Sequence, residues 1–278
     1  MQGEPERTRI ARRAAETALV RVVHHYGSRP EFVVLGGLVP ELLCSTSEFS
    51  HTGTTDIDVQ VDLEIASGTV NARRLERALR NAEFEPDAEH VWRWAAASDG
   101  IPAFVMFELL TDLEDQPDEA TVVFDDCDTL GAVNLRGSRF ASRDLEVRSI
   151  TARVGDDRRT VEINVAGLAG FLLAKNSAAR TRRKPKDWYD LAFVLLHNDE
   201  GGPEAAARSV LSKFENDLPG APTTALRELR ANFVDSKAQG ARAYVAQMLV
   251  DHPESDHATL SAEAVTAVDV FCGLLLER

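Results

Sequence analysis

The stretch that most constrains the fold runs from residue 32 to residue 62 and combines a strand, a paired-glycine turn and an acidic strand. Residues 32–35 are consecutively apolar, which predicts a short buried strand. Gly36 and Gly37 follow directly, and paired glycines let the chain turn sharply and let a ligand approach the backbone. Residues 38–44 can then form a short helix, which is followed by a polar loop.

The second strand of this stretch carries two carboxylates on one face. Asp56 and Asp58 alternate with Ile57 and Val59, so the acids share one side of the strand and the apolar residues share the other. Residues two apart on a strand lie roughly 7 Å apart at Cα, and both carboxylates can therefore reach one or two hard divalent cations. The same alternation also fits an edge strand whose acids face water.

A third carboxylate interrupts a later apolar run. Residues 104–110 are apolar except for Glu108, and an unpaired charge inside such a run is costly. We expect Glu108 on a strand beside Asp56 and Asp58, as a metal ligand and as the general base for an attacking hydroxyl. Asp112 is the second choice for this role, and an edge strand with Glu108 facing water is the structural alternative.

The C-terminal part is helical and contains a lysine and two aspartates at regular positions. Residues 166–179 predict a helix with Lys175 on its apolar face, where a lysine could also extend outward to water. Pro185 begins the next helix. Asp187 is interpreted as a cap of that helix, whereas Asp190 lies further in among apolar residues, where capping explains it less well.

These motifs together resemble a known family. The order of strand, Gly-Gly, helix and acidic strand resembles the nucleotidyltransferase superfamily, and the later Lys-Asp-x-x-Asp-Leu motif resembles the AbiEii group of type IV toxin–antitoxin systems, including MenT-type toxins. Thr54 stands where members often carry Ser. The resemblance implies Mg²⁺ as cofactor and a nucleoside triphosphate as substrate. The implied catalytic residues are Asp56, Asp58, Glu108, Lys175 and Asp190, and the implied nucleotide-binding residues are Gly36, Gly37, Thr54, Thr55 and Lys175.

The charge distribution bears on the acceptor. The net charge of −14 argues against a generally basic nucleic-acid binder. Residues 83–128 hold fourteen acids and one basic residue, whereas residues 129–186 hold thirteen Lys or Arg and five acids, the pattern expected for a phosphate-rich partner. The candidate RNA-binding cluster consists of Arg180, Arg182, Arg183, Lys184 and Lys186. The resemblance implies RNA, in particular the tRNA 3′ end, as acceptor; an aminoglycoside-like small molecule or a non-catalytic, nucleotide-binding role are the alternatives.

The sequence as a whole predicts an α/β protein of two domains. Residues 1–164 would form a polymerase-beta-like nucleotidyltransferase domain with a mixed sheet, and residues 165–278 a helical domain that completes the active site. Three widely spaced cysteines fit a reducing cytoplasm. No apolar run is judged long enough for a membrane span, so no membrane partner is expected, and the family resemblance implies a cognate antitoxin.

Overall fold

The computed structural model describes residues 8–61, 69–97 and 104–277, which divide into two compact units. The sheet unit comprises the described parts of residues 1–39 and 53–166, and the helical unit comprises residues 40–52 and the described part of residues 167–278. The helical unit therefore includes a segment of thirteen residues from the N-terminal half of the chain. The predicted α/β class, with a mixed sheet and C-terminal helices, is confirmed.

The described residues of the sheet unit form one sheet of nine strands. Parallel pairs join β1 with β9, β2 with β5 and β5 with β7, and the remaining pairs are antiparallel, so the sheet is mixed. The strands are β1 (Val33–Leu35), β2 (Asp56–Gln60), β3 (Glu85–Pro86), β4 (Arg93–Ala97), β5 (Phe104–Thr111), β6 (Thr121–Val123), β7 (Gly131–Asn134), β8 (Leu145–Val154) and β9 (Asp157–Ala166). The main path runs β3-β4-β5-β2-β1-β9-β8.

The alternating side chains of the central strands separate a core face from an acidic face. On β2 and β5, Ile57, Val59, Phe107 and Leu109 are fully buried, which fits the period of two that a strand imposes. The residues between them, Asp56, Asp58 and Glu108, are only partly buried. Packing of the apolar face therefore fixes which way the carboxylates point.

Helices in the sheet unit flank this sheet and connect its strands. Helix α1 is capped by Thr8, whose Oγ1 accepts a hydrogen bond from the Ala11 N–H, and it ends at Gly27 with φ +81°. The helices within or entering this unit are α1 (Arg9–Tyr26), α2 (Val39–Leu43), α3 (Thr69–Asn81) and α4 (Phe140–Arg143). The chain leaves the sheet unit within α2 and returns at Gly53.

The helical unit is built from helices that pack around α6 and α10. The helices are α5 (Leu168–Arg182), α6 (Pro185–His197), α7 (Pro203–Phe214), α8 (Ala221–Ala231), α9 (Gln239–Asp251) and α10 (His257–Leu276), with a 3₁₀ turn at Glu215–Asp217. Pro185 stands at the first position of α6, where its missing N–H has no partner to lose. Residues of α6 from Asp187 to Leu195 are buried.

Helix α10 corrects one sequence expectation. Its mean hydropathy of 1.6 makes residues 257–276 long and apolar enough, by length and composition, to cross a membrane, so the expectation that no stretch reaches this threshold was wrong. The helix packs against α6, α7, α8 and α9, and its Leu260, Val268 and Phe271 are buried there. The buried face of α10 is thus part of the core of the helical unit.

Candidate active site

The paired-glycine turn lies directly against two side chains of the acidic stretch. Gly36 has φ +86°, and a Cβ atom on it would lie 2.0 Å from Asp58 Oδ2. A Cβ atom on Gly37 would lie 2.9 Å from Thr54 Cβ. Such distances are far inside van der Waals contact, so both positions require glycine. The turn therefore brings unobstructed backbone next to a carboxylate and a hydroxyl.

Thr54 and Thr55 lead into the acidic strand and are both buried. Thr54 Oγ1 accepts a 3.0 Å hydrogen bond from the Asp56 N–H, which fixes the start of β2. A hydroxyl that accepts this bond can still donate its own hydrogen to a phosphate oxygen. The Thr55 carbonyl accepts from the Met106 N–H and ties the same point to β5.

The carboxylates of β2 and β5 lie side by side in the sheet. The parallel register places Asp58 opposite Glu108 and Asp56 opposite Met106, so the prediction that Glu108 stands on the strand next to Asp56 is confirmed. We call Asp56, Asp58 and Glu108 the acidic row. Across the sheet, Arg93 on β4 stands opposite Glu108, and its Nε donates to Glu108 Oε1 at 2.7 Å.

Burial and the neighbouring carboxylates both act on the pKa of Glu108. Its pKa is raised to about 7, first by burial and then by the negative charges of Asp58 and Asp56, while Arg93 opposes the shift. At Glu108, the charges of Asp58 and Asp56 add negative potential that the Arg93 guanidinium opposes. Such a site favours the arrival of cations.

The acidic row can supply one or two carboxylate ligands to magnesium, but its three carboxylates do not converge on one metal position. Within residues 8–61, 69–97 and 104–277, no three His, Cys, Asp or Glu side chains are grouped so as to hold a metal ion, and Glu108 instead bonds to Arg93. The predicted convergence of three ligands on one metal is therefore not found. Mg²⁺ commonly uses one or two carboxylates and completes its shell with water and substrate phosphate, a requirement that Asp56 and Asp58 suit.

Asp112, the second choice for the third carboxylate, has a structural role. Its Oδ2 accepts hydrogen bonds from the N–H groups of Gly137 and Arg139, at 2.7 and 3.3 Å. Arg136 lies within 3.7 Å of its other oxygen. Asp112 thus fixes the turn after β7, and Glu108 is the carboxylate that stands beside β2.

In the helical unit, Lys175 lies in a buried group of charged side chains. Its Nζ is 2.9 Å from Asp187 Oδ1 and 2.6 Å from Asp190 Oδ2, and the residue is 7% exposed, so it does not extend outward to water. Arg182 Nη2 lies 3.1 Å from the same oxygen of Asp187. We call Lys175, Asp187, Asp190, Arg182 and His51 the lysine network.

The interpretation of Asp187 as a simple helix cap was wrong. It is fully buried and bonded to Lys175 and Arg182. Burial alone would raise the pKa of Asp187, but the positive charges of Lys175 and Arg182 outweigh it and hold that pKa below its usual value. Asp187 is therefore a charged member of the network and not a peripheral cap.

The basic cluster predicted to bind RNA lies around the turn between α5 and α6. Arg180, Arg182, Arg183 and Lys184 are exposed and Lys186 is half-buried. Arg183 ends α5 with φ +50°, and Arg180 Nε lies 3.3 Å from Glu228. Arg182 differs from its neighbours, because its guanidinium also serves the lysine network.

Sequence reasoning missed His51 altogether. Its Nε2 lies 2.9 Å from Asp190 Oδ1, and the residue is 1% exposed. In the sequence it is one polar residue of a short loop, 139 positions before its partner, and no periodicity connects the two. Its place just before Thr54 and Asp56 was the one available signal.

The comparison with known families covers most of both units. The family model described as nucleotidyl transferase AbiEii toxin, type IV TA system, matches residues 53–267. That span contains Asp56, Asp58, Glu108, Lys175 and Asp190. A search of curated proteins found no match.

Proposed function

The chain belongs to the AbiEii family of nucleotidyl transferase toxins of type IV toxin–antitoxin systems, and on that premise we propose that it transfers a nucleoside monophosphate from a nucleoside triphosphate to the 3′ end of an RNA, in particular a tRNA. The attacking group is a ribose hydroxyl of the RNA and the leaving group is pyrophosphate. The proposed setting is the cytoplasm, where a cognate antitoxin would hold the activity off.

One observation carries the proposal: the glycine turn touches the acidic strand. Gly36 approaches Asp58 so closely that no side chain fits between them, and Gly37 stands in the same way against Thr54. Backbone N–H groups of a glycine turn and a threonine hydroxyl are suited to hold phosphate oxygens. A triphosphate on this turn would have its reacting phosphate next to the carboxylates.

Asp56 and Asp58 would hold Mg²⁺, and Glu108 would stand beside them at the edge of the site. When bound, the metal would neutralise charge on the transferred phosphate. Glu108 would take the proton of the attacking hydroxyl on a carboxylate oxygen. Its bond to Arg93 keeps its side chain oriented beside Asp58.

Lys175 would supply a positive charge to the triphosphate. A lysine ammonium is a point charge on a long, flexible stem, so its usefulness depends on being held in place. Asp187 and Asp190 hold it from α6 by two short contacts. Asp190 would therefore act by orienting Lys175.

The exposed basic cluster supports RNA as acceptor. Arg183 and Lys184 stand on the exposed turn between α5 and α6, and such charges suit phosphates of a nucleic-acid backbone. The acidic residues of the 83–128 stretch would repel RNA elsewhere and so favour one orientation. A small neutral or cationic acceptor would gain nothing from this cluster.

The test incubates the full chain with Mg²⁺ and each labelled nucleoside triphosphate, in the presence of total RNA or of aminoglycosides. The expected result is label on the 3′ end of tRNA-sized RNA together with released pyrophosphate, and neither in the Asp58→Asn variant. Label on the aminoglycoside would favour the small-molecule alternative. Triphosphate binding without transfer to either acceptor would favour the non-catalytic alternative.

A further inference from the structure

His51 and Lys175 are joined through one buried carboxylate. Asp190 is fully buried and uses its two oxygens on different partners: Oδ2 lies 2.6 Å from Lys175 Nζ and Oδ1 lies 2.9 Å from His51 Nε2. An ionised carboxylate only accepts hydrogen bonds, so the His51 Nε2–H donates to it. With both oxygens engaged, the plane of the Asp190 carboxylate is fixed.

His51 is itself held on several sides. Its ring stacks on Tyr189 at 4.9 Å between centroids and meets the edge of Phe193 at 5.0 Å. Its backbone N–H donates to Glu41 Oε2 at 2.7 Å. The next residue, Thr52, donates its N–H to the Tyr189 hydroxyl at 3.0 Å and its hydroxyl to Asp251 at 2.8 Å. The imidazole is thus oriented before any substrate arrives.

A lysine ammonium needs neighbouring acceptors to hold it in one position. Its ammonium has three rotatable donors and no fixed plane, so its position is set by the acceptors around it. If His51 were replaced by an apolar residue, Asp190 would lose the partner of its Oδ1 in a buried place, and its carboxylate could rotate. A displacement of about 1 Å at a catalytic group can reduce the rate about 100-fold.

We propose that His51 is a positioning residue that, through Asp190, fixes the ammonium of Lys175 for nucleotidyl transfer. It does not touch substrate. The inference rests on the proposed function, and it adds to it a residue of the 40–52 segment whose contribution is geometric.

The first experiment compares substitutions in the full chain by kcat and KM for the nucleoside triphosphate. His51→Leu is expected to lower kcat/KM about 10- to 100-fold, and His51→Gln, whose amide can donate from a position near Nε2, should recover most of it. His197→Leu is the matched control, because His197 packs against Phe193 and Phe49 but bonds to Tyr244 and not to Asp190. It should change kcat/KM less than about 3-fold.

The second experiment is a double-mutant cycle with Lys175→Met, read by calorimetric binding of a non-hydrolysable nucleoside triphosphate analogue. If His51 acts through Lys175, His51→Leu should weaken binding in the wild-type background and have little further effect beside Lys175→Met. Should His51→Leu not fold, His51→Asn takes its place, because its shorter amide cannot reach Asp190.

The outcomes separate the two proposals. A wild-type chain that neither binds the analogue nor transfers label overturns the proposed function, and this inference with it. An active wild type in which His51→Leu keeps full kcat/KM, or in which the two substitutions are additive in binding, overturns the role of His51 alone. Loss in His51→Leu, recovery in His51→Gln and non-additivity with Lys175→Met together support it.

Discussion

The acidic row and the lysine network place carboxylates in opposite situations. In the acidic row, Glu108 pairs with Arg93, and its pKa is raised by burial and by its neighbours Asp58 and Asp56. In the lysine network, Asp187 and Asp190 are deeper in the protein but lie against Lys175 and Arg182. The pKa of Asp187 is held low despite its burial.

The difference teaches that burial does not decide what a carboxylate is for; the balance of charge around it does. Around Glu108 the charge is unbalanced, because Asp58 and Asp56 act on it against Arg93 alone, and this part of the acidic row is suited to receive cations. In the lysine network, Lys175 and Arg182 lie against Asp187 and Asp190, so opposite charges are matched and the aspartates hold Lys175 in position. Three predictions test this contrast and a fourth concerns charges outside both groups; the one with the largest expected effect comes first.

Removing Lys175, the buried cation of the lysine network, should lower the free energy of unfolding. Lys175→Met leaves two buried aspartates without their shared partner, and breaking a buried pair in this way typically destabilises by about 3–5 kcal/mol. Chemical denaturation measures the change. Arg93→Met in the acidic row is the comparison: Glu108 can take up a proton and the pair is partly exposed, so the loss should be about 1 kcal/mol or less. Equal losses of stability in Lys175→Met and Arg93→Met would contradict the contrast between the two groups.

Removing a charge from the unbalanced group should affect chemistry more than folding. Asp58→Asn keeps the shape that fits against Gly36, but it removes a charge that would hold metal, and transfer should fall at least about 100-fold. The melting temperature without metal should hold or rise, because repulsion with Glu108 is relieved. A large fall in melting temperature would instead show that Asp58 holds the fold together.

The two groups should respond to pH with opposite signs. The pKa of Glu108 is about 7 in the folded protein and ordinarily 4.5, so the contribution of Glu108 to stability is lost as pH rises from 4.5 to about 7. The pKa of Asp187 is lowered in the folded protein, so the contribution of Asp187 is lost as pH falls. In EDTA, Glu108→Gln should therefore stabilise by about 1 kcal/mol at pH 8, about 2–4 °C in melting temperature, and little at pH 4.5. An equal effect at both pH values would rule out this explanation.

The smallest effect concerns charges outside both groups. Arg183→Ala with Lys184→Ala should flatten the log–log salt dependence of RNA affinity by about 1.5 and leave triphosphate binding nearly unchanged. Arg182 is not substituted, because its bond to Asp187 would mix the two effects. Lys237→Ala with Arg242→Ala, the same change of charge at exposed positions elsewhere in the helical unit, is the control. Equal slopes in both double variants would remove the assignment of the cluster to RNA.

The sequence predicted best what is local. The alternation at residues 56–59 and the apolar run of residues 104–110 located two strands and the carboxylates on them, because these patterns are short-range signals. What it missed depends on distant partners. Asp187 resembles a cap until Lys175 is seen beside it, and Asp112 resembles Glu108 until the turn at Gly137 is seen to occupy it. For His51, the only local signal was its place just before Thr54 and Asp56.

Residues 40–52 belong to the helical unit although they precede most of the sheet unit in the chain, and this order has a consequence for synthesis on the ribosome. His51 is made 139 residues before Asp190, an interval of about 7–28 s at about 5–20 residues per second. During this interval the segment that follows the glycine turn and precedes the acidic strand has none of the α6 side chains that will hold it. A nascent chain of this toxin therefore completes its lysine network late, after its acidic strand β2 has already emerged.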